Sequence, residues 1–292
     1  MPFPLTSDGL DMDSADEIAA TDCPRANGMP MLGLGTWQHT DPEQCARSVK
    51  TALEMGYRHI DTAQGYDNEA SVGRGITEAA VGREEIFLAT KVATSNLAYD
   101  DVLETTRESL EKLGVDAVDL LYVHWPVKTY DAEETLTAFD ELYDEGLIRN
   151  VGVSNFEPRH IEEAVEILDA PIFANQVECH PLLPQEELRT VCDEHDIELV
   201  AYSPLARGTL FDVPEIQHIA ETHDVTEAQV SLAWLRTKGV TAIPKATGEE
   251  HIADNWASLD LELDAGDLEL LDDLEEGHRE VDPEIGPWNT DG

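Results

Sequence analysis

Residues 86–123 read IFLATKVATSNLAYDDVLETTRESLEKLGVDAVDLLYV. The stretch opens on Ile86-Phe87-Leu88-Ala89-Thr90-Lys91, a short apolar run of strand length that ends on a lysine. Leu103, Thr106, Leu110 and Leu113 then recur at helical spacing, with acids and Arg107 on the other side and Gly114 placed as a C-cap. A second apolar run, residues 118–123, closes the stretch. A strand, a crossover helix and a strand in this order imply a parallel pair.

The same unit recurs in both directions along the chain. Candidate strands are residues 31–35, 58–61, 86–91, 118–123, 150–153, 172–176, 198–202 and 240–243, eight in all. The intervening segments read as helices: Val49 and Leu53 precede Gly56, residues 133–145 are closed by Gly146, and residues 226–238 by Gly239. Eight repeats without an extra hairpin block favour an α/β fold closed into a (β/α)8 TIM barrel over an open doubly wound sheet. The glycine-rich nucleotide fingerprint of the open alternative is missing, because Gly33-Leu34-Gly35 runs into Thr36-Trp37 and not into a helix start. Ahead of the first strand, Ala26-Asn27-Gly28 predicts an N-terminal β-hairpin. Residues 1–20, with five acidic and no basic side chains, are expected to be a mobile tail, and residues 21–292 a single barrel domain. Residues 267–274 suggest a short helix, and no long C-terminal extension is expected to close over a substrate.

Composition excludes several functions. The 292 residues carry 62 acidic and 18 basic side chains, a formal net charge of −44, and only six of the bases are lysines. The mean field repels nucleic-acid phosphate and anionic lipid, so neither partner is expected. Apolar segments recur regularly, which argues against disorder. Self-repulsion on this scale destabilises a compact fold unless counterions screen it, so a salt-adapted cytoplasmic enzyme is expected. The N-terminal stretch lacks the basic and apolar regions of a signal peptide, and no window has the length of a membrane span. Cys23, Cys45, Cys179 and Cys192 are scattered without a CxxC pair, so reduced thiols are expected, with neither a disulfide framework nor a metal site.

The polar residues able to do chemistry fall at the carboxyl ends of the candidate strands, the active face of such a barrel. Asp61 closes one strand and Tyr66 follows in its loop; Lys91 closes the next; His124 ends the one after, ahead of Trp125-Pro126. An ionisable group ending an apolar strand is costly to bury without a partner, and three strands bring such partners to one centre. A tyrosine is a weak acid near neutrality, and a neighbouring ammonium favours its phenolate. Lys91, fixed by Asp61, is therefore expected to lower the pKa of Tyr66, which protonates a carbonyl oxygen while neutral His124 donates a second hydrogen bond. The alternative is a structural Asp–Lys pair beside a packed tyrosine and a core histidine.

Residues 56–63, GYRHIDTA, with Tyr66-Asp67-Asn68-Glu69, resemble the first motif of the aldo-keto reductase family. Val151-Gly152-Val153-Ser154-Asn155-Phe156, preceded by Leu147-Ile148-Arg149, and Ile243-Pro244-Lys245 resemble two more, and the likeness extends over residues 22–280. It implies a barrel that binds NADPH or NADH without a Rossmann fold, and a catalytic tetrad of Asp61, Tyr66, Lys91 and His124. The small prokaryotic members acting on 2,5-diketogluconate and glyoxals are the most similar. By the same resemblance Ser154, Asn155 and Gln176 hold the nicotinamide carboxamide, Tyr202 stacks on its face, and Ser203-Pro204-Leu205 lies under the pyrophosphate. Thr36 joins the cofactor contacts, and Trp37 and Trp125 form walls of the substrate pocket.

At the adenosine end Lys245 is present, but Ala246 and His251 stand where NADPH-specific members carry serine and arginine, and Glu249 and Glu250 lie between. A neutral histidine lacks the bidentate charge matching of arginine for a 2′-phosphate, so dual cofactor use or a lean to NADH is expected. Asp254 and Asn255 resemble the adenine-contacting pair. The expected protein is a monomeric reductase of small aldehydes and ketones. The competing functions are a non-catalytic nucleotide-binding redox sensor and a dehydrogenase working mainly in oxidation. His180, next to Cys179, is expected to be structural, because adjacent strand residues face opposite ways.

Overall fold

The computed structural model describes residues 22–275 and 277–289, so the expected tail over residues 1–20 lies outside the described residues. The chain starts with a hairpin, β1 (Arg25–Ala26) and β2 (Met29–Pro30), paired antiparallel. Asn27 and Gly28 form its turn, both at positive φ (45° and 91°). Such a turn matches the twist of its flanking strands and suits an Asn-Gly pair.

Eight parallel strands follow: β3 (Leu34–Gly35), β4 (His59–Asp61), β5 (Phe87–Val92), β6 (Leu120–Val123), β7 (Val151–Ser154), β8 (Ile172–Glu178), β9 (Glu198–Tyr202) and β10 (Thr241–Ala242), hydrogen-bonded in sequence order. Parallel bridges Leu32–Ala242 and Gly35–Lys245 join the last strand to the first and complete the (β/α)8 barrel. Gly35 is required at this seam, because a Cβ there would lie 2.6 Å from the Ile243 carbonyl oxygen. The Gly33-Leu34-Gly35 stretch thus serves close strand approach in a closed sheet, a use distinct from a phosphate loop.

The outer helices are α1 (Pro42–Met55), α2 (Glu69–Glu78), α3 (Tyr99–Leu113), α4 (Ala132–Asp144), α5 (Pro158–Ile167), α6 (Glu186–Glu194), α7 (Pro214–His223), α8 (Glu227–Thr237), α9 (Glu249–Ala257) and α10 (Ala265–Asp272). In α3 Thr106, Leu110 and Leu113 are buried as expected, while Leu103 is only partly buried and Val102 beside it is fully buried. Gly114 ends that helix in the left-handed conformation at φ 69°, a state in which a Cβ is unfavourable. Thr226 caps α8 from outside, accepting from the Gln229 N–H, and Asp264 caps α10, whose first residue Ala265 comes two residues before the expected start. Side chains from both sheet and helices merge into one main apolar cluster between the two layers, and a second cluster around Leu120, Tyr122 and Val200 lies apart from it.

The C-terminal end differs from expectation. Residues 277–289 are short, yet they reach the carboxyl face, where Val281 lines the cleft and the Trp288 ring packs on Trp125 at a tilt of 51°, with ring centroids 5.5 Å apart. Sequence spacing carries no sign of this contact, since an irregular segment has no period from which its docking face can be read.

Candidate active site

A cleft of about 900 Å³ opens at the carboxyl ends of the strands. At its floor, Asp61 ends β4, Lys91 lies near the end of β5, and His124 directly follows β6. The parallel register that sets Asp61 beside Ala89 and Lys91 beside Tyr122 brings these strands' polar ends together. Tyr66 is delivered by a one-turn 3₁₀ helix, Gln64–Tyr66, just after β4.

Lys91 is fully buried and donates three hydrogen bonds: to Asp61 Oδ1 at 2.5 Å, to the Thr62 carbonyl at 2.8 Å and to the Tyr66 hydroxyl at 3.4 Å. The other carboxylate oxygen of Asp61 accepts from Gln176 Nε2 at 2.8 Å. The aspartate is thus held from two sides, and in turn fixes the ammonium beneath the phenol. The His124 ring stands edge-on to Tyr66, with centroids 5.7 Å apart.

The electrostatics correct one expectation. The Tyr66 hydroxyl is not made more acidic than a free tyrosine: burial pushes its pKa above the usual value, and the Lys91 ammonium offsets only part of that rise. Desolvation of a phenolate on the cleft floor outweighs a single neighbouring charge. Lys91 itself stays charged; burial opposes the ammonium, but Asp61 and Tyr66 hold its pKa above the ordinary lysine value. Burial, aided by the Lys91 charge, pushes His124 down to about 3, so the imidazole is neutral as expected.

Further along the cleft, Asn155 adopts φ 61° just after β7, and its amide is fixed on three sides. Nδ2 donates to the His124 carbonyl at 3.1 Å and to Ser154 Oγ at 3.0 Å, while Oδ1 accepts from the Tyr202 hydroxyl at 2.8 Å. Ser154 Oγ donates to the Gln176 carbonyl at 2.7 Å. Neither Ser154 nor Asn155 caps the following helix, because Glu157 is the residue ahead of α5 and its N–H donates to His160 Nδ1 at 3.2 Å.

Asp61, Tyr66, His124, Ser154, Asn155, Gln176, Tyr202, Ser203, Leu205, Lys245, His251, Asp254, Asn255, Trp37 and Trp125 all line this cleft. Three expected residues do not. Lys91 lies behind Asp61 and Tyr66, Ala246 is buried, and Thr36 turns its hydroxyl to the Asp61 carbonyl at 3.0 Å. Asp254 is bound by Thr226 Oγ1 (2.9 Å) and Gln229 Nε2 (2.6 Å), whereas Lys245 is exposed. His180 is buried on Glu178, the structural role expected of it, and among the described residues no cluster has the makeup of a metal site. Gln38, Arg207, Phe211, Glu227 and Val281 also line the cleft. Glu227 and Val281 were not foreseen, whereas Gln38, Arg207 and Phe211 lie on the loops after Trp37, after Leu205 and over residues 209–213 that the sequence assigns to the pocket and the pyrophosphate. Arg207 left one available signal, a base within Ala206-Arg207-Gly208 of a strongly acidic chain. Its guanidinium sits 4.8 Å from the Trp37 ring centroid.

Residues 31–276 match the sequence pattern of the aldo/keto reductase family. The chain belongs to that family. An aldo-keto reductase from Mycolicibacterium smegmatis is 44% identical over 267 residues, which cover 91% of this chain and 96% of the relative. The glyoxal reductase of Bacillus subtilis is 41% identical over 259 residues, covering 89% and 92%. The crystal structure of a Bombyx mori aldo-keto reductase in complex with NADP superposes with a TM-score of 0.83 at 32% identity, covering 90% of this chain and 96% of that one. This aldo-keto reductase is an NAD(P)H-dependent oxidoreductase of carbonyl compounds. The cleft of the reductase fits such a cofactor: it is long, with neutral hydrogen-bonding groups (Ser154, Asn155) and an aromatic face (Tyr202) near the floor and an exposed lysine towards α9. Among the described residues no helix of the reductase is long and apolar enough to cross a membrane.

Proposed function

We propose that the protein reduces small aldehydes and ketones of the glyoxal type, with Tyr66 as the general acid. The observation that supports this reading most directly is the contact of Lys91 Nζ with both Asp61 (2.5 Å) and the Tyr66 hydroxyl (3.4 Å), on a cleft floor shared with neutral His124. Bound NADPH or NADH supplies the electron pair that reaches the carbonyl carbon. Ser154, Asn155 and Gln176 hold the nicotinamide end and Tyr202 its face. Ser203 and Leu205 would hold the pyrophosphate, and Lys245, His251, Asp254 and Asn255 the adenosine, since all six line the cleft. Thr36 and Ala246 act from behind this wall, Thr36 by holding the Asp61 carbonyl.

The chain's own chemistry is proton handling. A phenol above its ordinary pKa is fully protonated near neutrality, so Tyr66 always has a proton to give. As negative charge grows on the carbonyl oxygen, the proton passes from the Tyr66 hydroxyl to that oxygen. The phenolate left behind is stabilised by the buried Lys91 ammonium, a stabilisation that exists mainly as the charge forms. His124 donates to the same oxygen and orients the carbonyl, while Trp37 and Trp125 flank it. Tyr66 is then reprotonated from solvent.

The adenosine end supports use of both cofactors, with a lean to NADH. Lys245 is the cation there, and His251 stands exposed among Glu249 and Glu250. Purified protein is to be mixed with methylglyoxal and each cofactor in molar KCl, and oxidation followed by nicotinamide absorbance. Turnover is expected with both. An advantage for NADPH above about tenfold in kcat/KM, near 1.4 kcal/mol, overturns the cofactor preference. Tight cofactor binding without turnover across a panel of carbonyls overturns the reductase reading in favour of a sensor.

A further inference from the structure

Glu178, at the end of β8, is fully buried and takes no part in the chemistry above. A buried carboxylate is costly unless every lone pair has a donor. Three donors converge on it. His180 Nε2, also buried, donates to Oε1 at 3.0 Å. The other two come from the C-terminal segment: the Glu280 N–H donates to Oε1 at 2.7 Å and the Val281 N–H to Oε2 at 2.9 Å. Other ties hold the same segment, among them the Arg159 guanidinium, which donates to the Pro287 carbonyl at 3.1 Å. The Gly277 and His278 N–H groups donate to the Leu182 carbonyl at 3.0 and 3.1 Å, and Thr209 Oγ1 donates to the Glu280 carboxylate at 2.5 Å. Val281 lines the cleft together with Tyr66, His124 and Trp125. Trp288 of the same segment packs at a tilt against Trp125 and carries the Arg279 guanidinium 3.8 Å from its ring centroid. One buried charge thus grips the two peptide N–H groups beside the only cleft-lining residue of the segment among those described.

We propose that Glu178 is a positioning residue for substrate choice: by holding the Glu280–Val281 backbone it sets Val281 as a wall beside Trp125 and limits the size of the carbonyl compounds that reach Tyr66. This rests on the reading of Tyr66 as the acid, since that defines where the carbonyl sits. Glu178→Gln keeps one acceptor but turns an NH2 group towards a peptide N–H, donor against donor, so the wall is released. For E178Q, NADPH affinity and kcat with methylglyoxal stay within about twofold of wild type. The ratio of kcat/KM for methylglyoxal to that for a naphthaldehyde falls by about tenfold, the size of effect that pocket shape commonly produces. Val281→Ala shifts the ratio the same way, and adding it to E178Q changes the ratio by less than about twofold, because both act on one wall. A purely structural role for Glu178 lowers Tm and the active fraction but leaves the ratio unmoved, and that result overturns the proposal. Hydrogen exchange on the wild-type chain gives a reading independent of folding variants and of turnover. The Glu280 and Val281 amides exchange slowly if the grip exists, and exchange at the unprotected rate overturns it. Absence of turnover in the wild-type protein instead sinks the Tyr66 reading and leaves the exchange result to be judged by itself.

Discussion

Tyr66, Lys91 and Asp61 show how a residue's neighbours decide its chemistry. The order of these side chains along the chain indicated that they meet, and they do, but it did not indicate how deep the phenol is placed. Depth reverses the sign of its pKa shift, because desolvation of the phenolate outweighs one ammonium. The consequence for catalysis is that Lys91 stabilises a charge formed during proton transfer and does not create one beforehand. Tyr66→Phe removes the acid while leaving Asp61, Lys91 and the cofactor contacts in place. Turnover of the variant is expected to fall by about 10²-fold or more with NADPH affinity unchanged. Retention of more than about a tenth of wild-type turnover, measured beside a fluorescence titration of NADPH, would count against this tyrosine as the proton source. Residue-level legibility was uneven. Groups at the strand ends were readable because an ionisable side chain after an apolar run demands a reason. Val281 was not, since it does not depart from what a surface loop ordinarily contains.

At the scale of elements, apolar periodicity located every strand of the barrel to within three residues, and glycines located the ends of four of the ten described helices, α1, α3, α4 and α8. What periodicity missed was the edge of a stripe, as in α3, where Val102 is fully buried and Leu103 only partly so. One residue turns a helix by about 100°, less than the width of an amphipathic face, so both choices satisfy the pattern. Contact between helices tests this level directly. Gly73 in α2 lies so close to the end of α3 that an added Cβ would be 2.4 Å from the Leu113 carbonyl oxygen, a backbone atom with little room to yield. Gly73→Ala raises helix propensity yet is expected to destabilise the protein by about 1–3 kcal/mol through overpacking. Urea denaturation that finds the variant equally or more stable would show that the two helices can move apart at small cost.

For the whole molecule, charge and burial act together. His39, His124 and His160 are pushed down to about 4, 3 and 4, each chiefly by burial. In the unfolded chain a histidine titrates near about 6.5. Between that value and the folded ones the unfolded state binds more protons, so this stability is complete above the unfolded pKa and is lost as pH falls. The slope is at most about 1.4 kcal/mol per pH unit for each group, with half-exposed His160 contributing least. Denaturant titrations at a series of pH values check this, and His39→Gln is expected to flatten the acid limb. The formal charge of −44 makes a second expectation. Raising KCl from about 0.01 M to 1 M shortens the screening length from about 30 Å to about 3 Å, so self-repulsion drops and Tm rises. A flat Tm across that range would remove the view of a salt-adapted protein. The sequence by itself determined the barrel, its hairpin and the polar groups at the strand ends, because repeat period, turn residues and strand-terminal charges are local properties of the chain. Only the tertiary structure decided the protonation balance at Tyr66, the second anchor of Asp61 on Gln176 and the grip of Glu178 on the C-terminal segment. Each of those depends on burial and on contacts between residues distant in sequence, which no local pattern encodes.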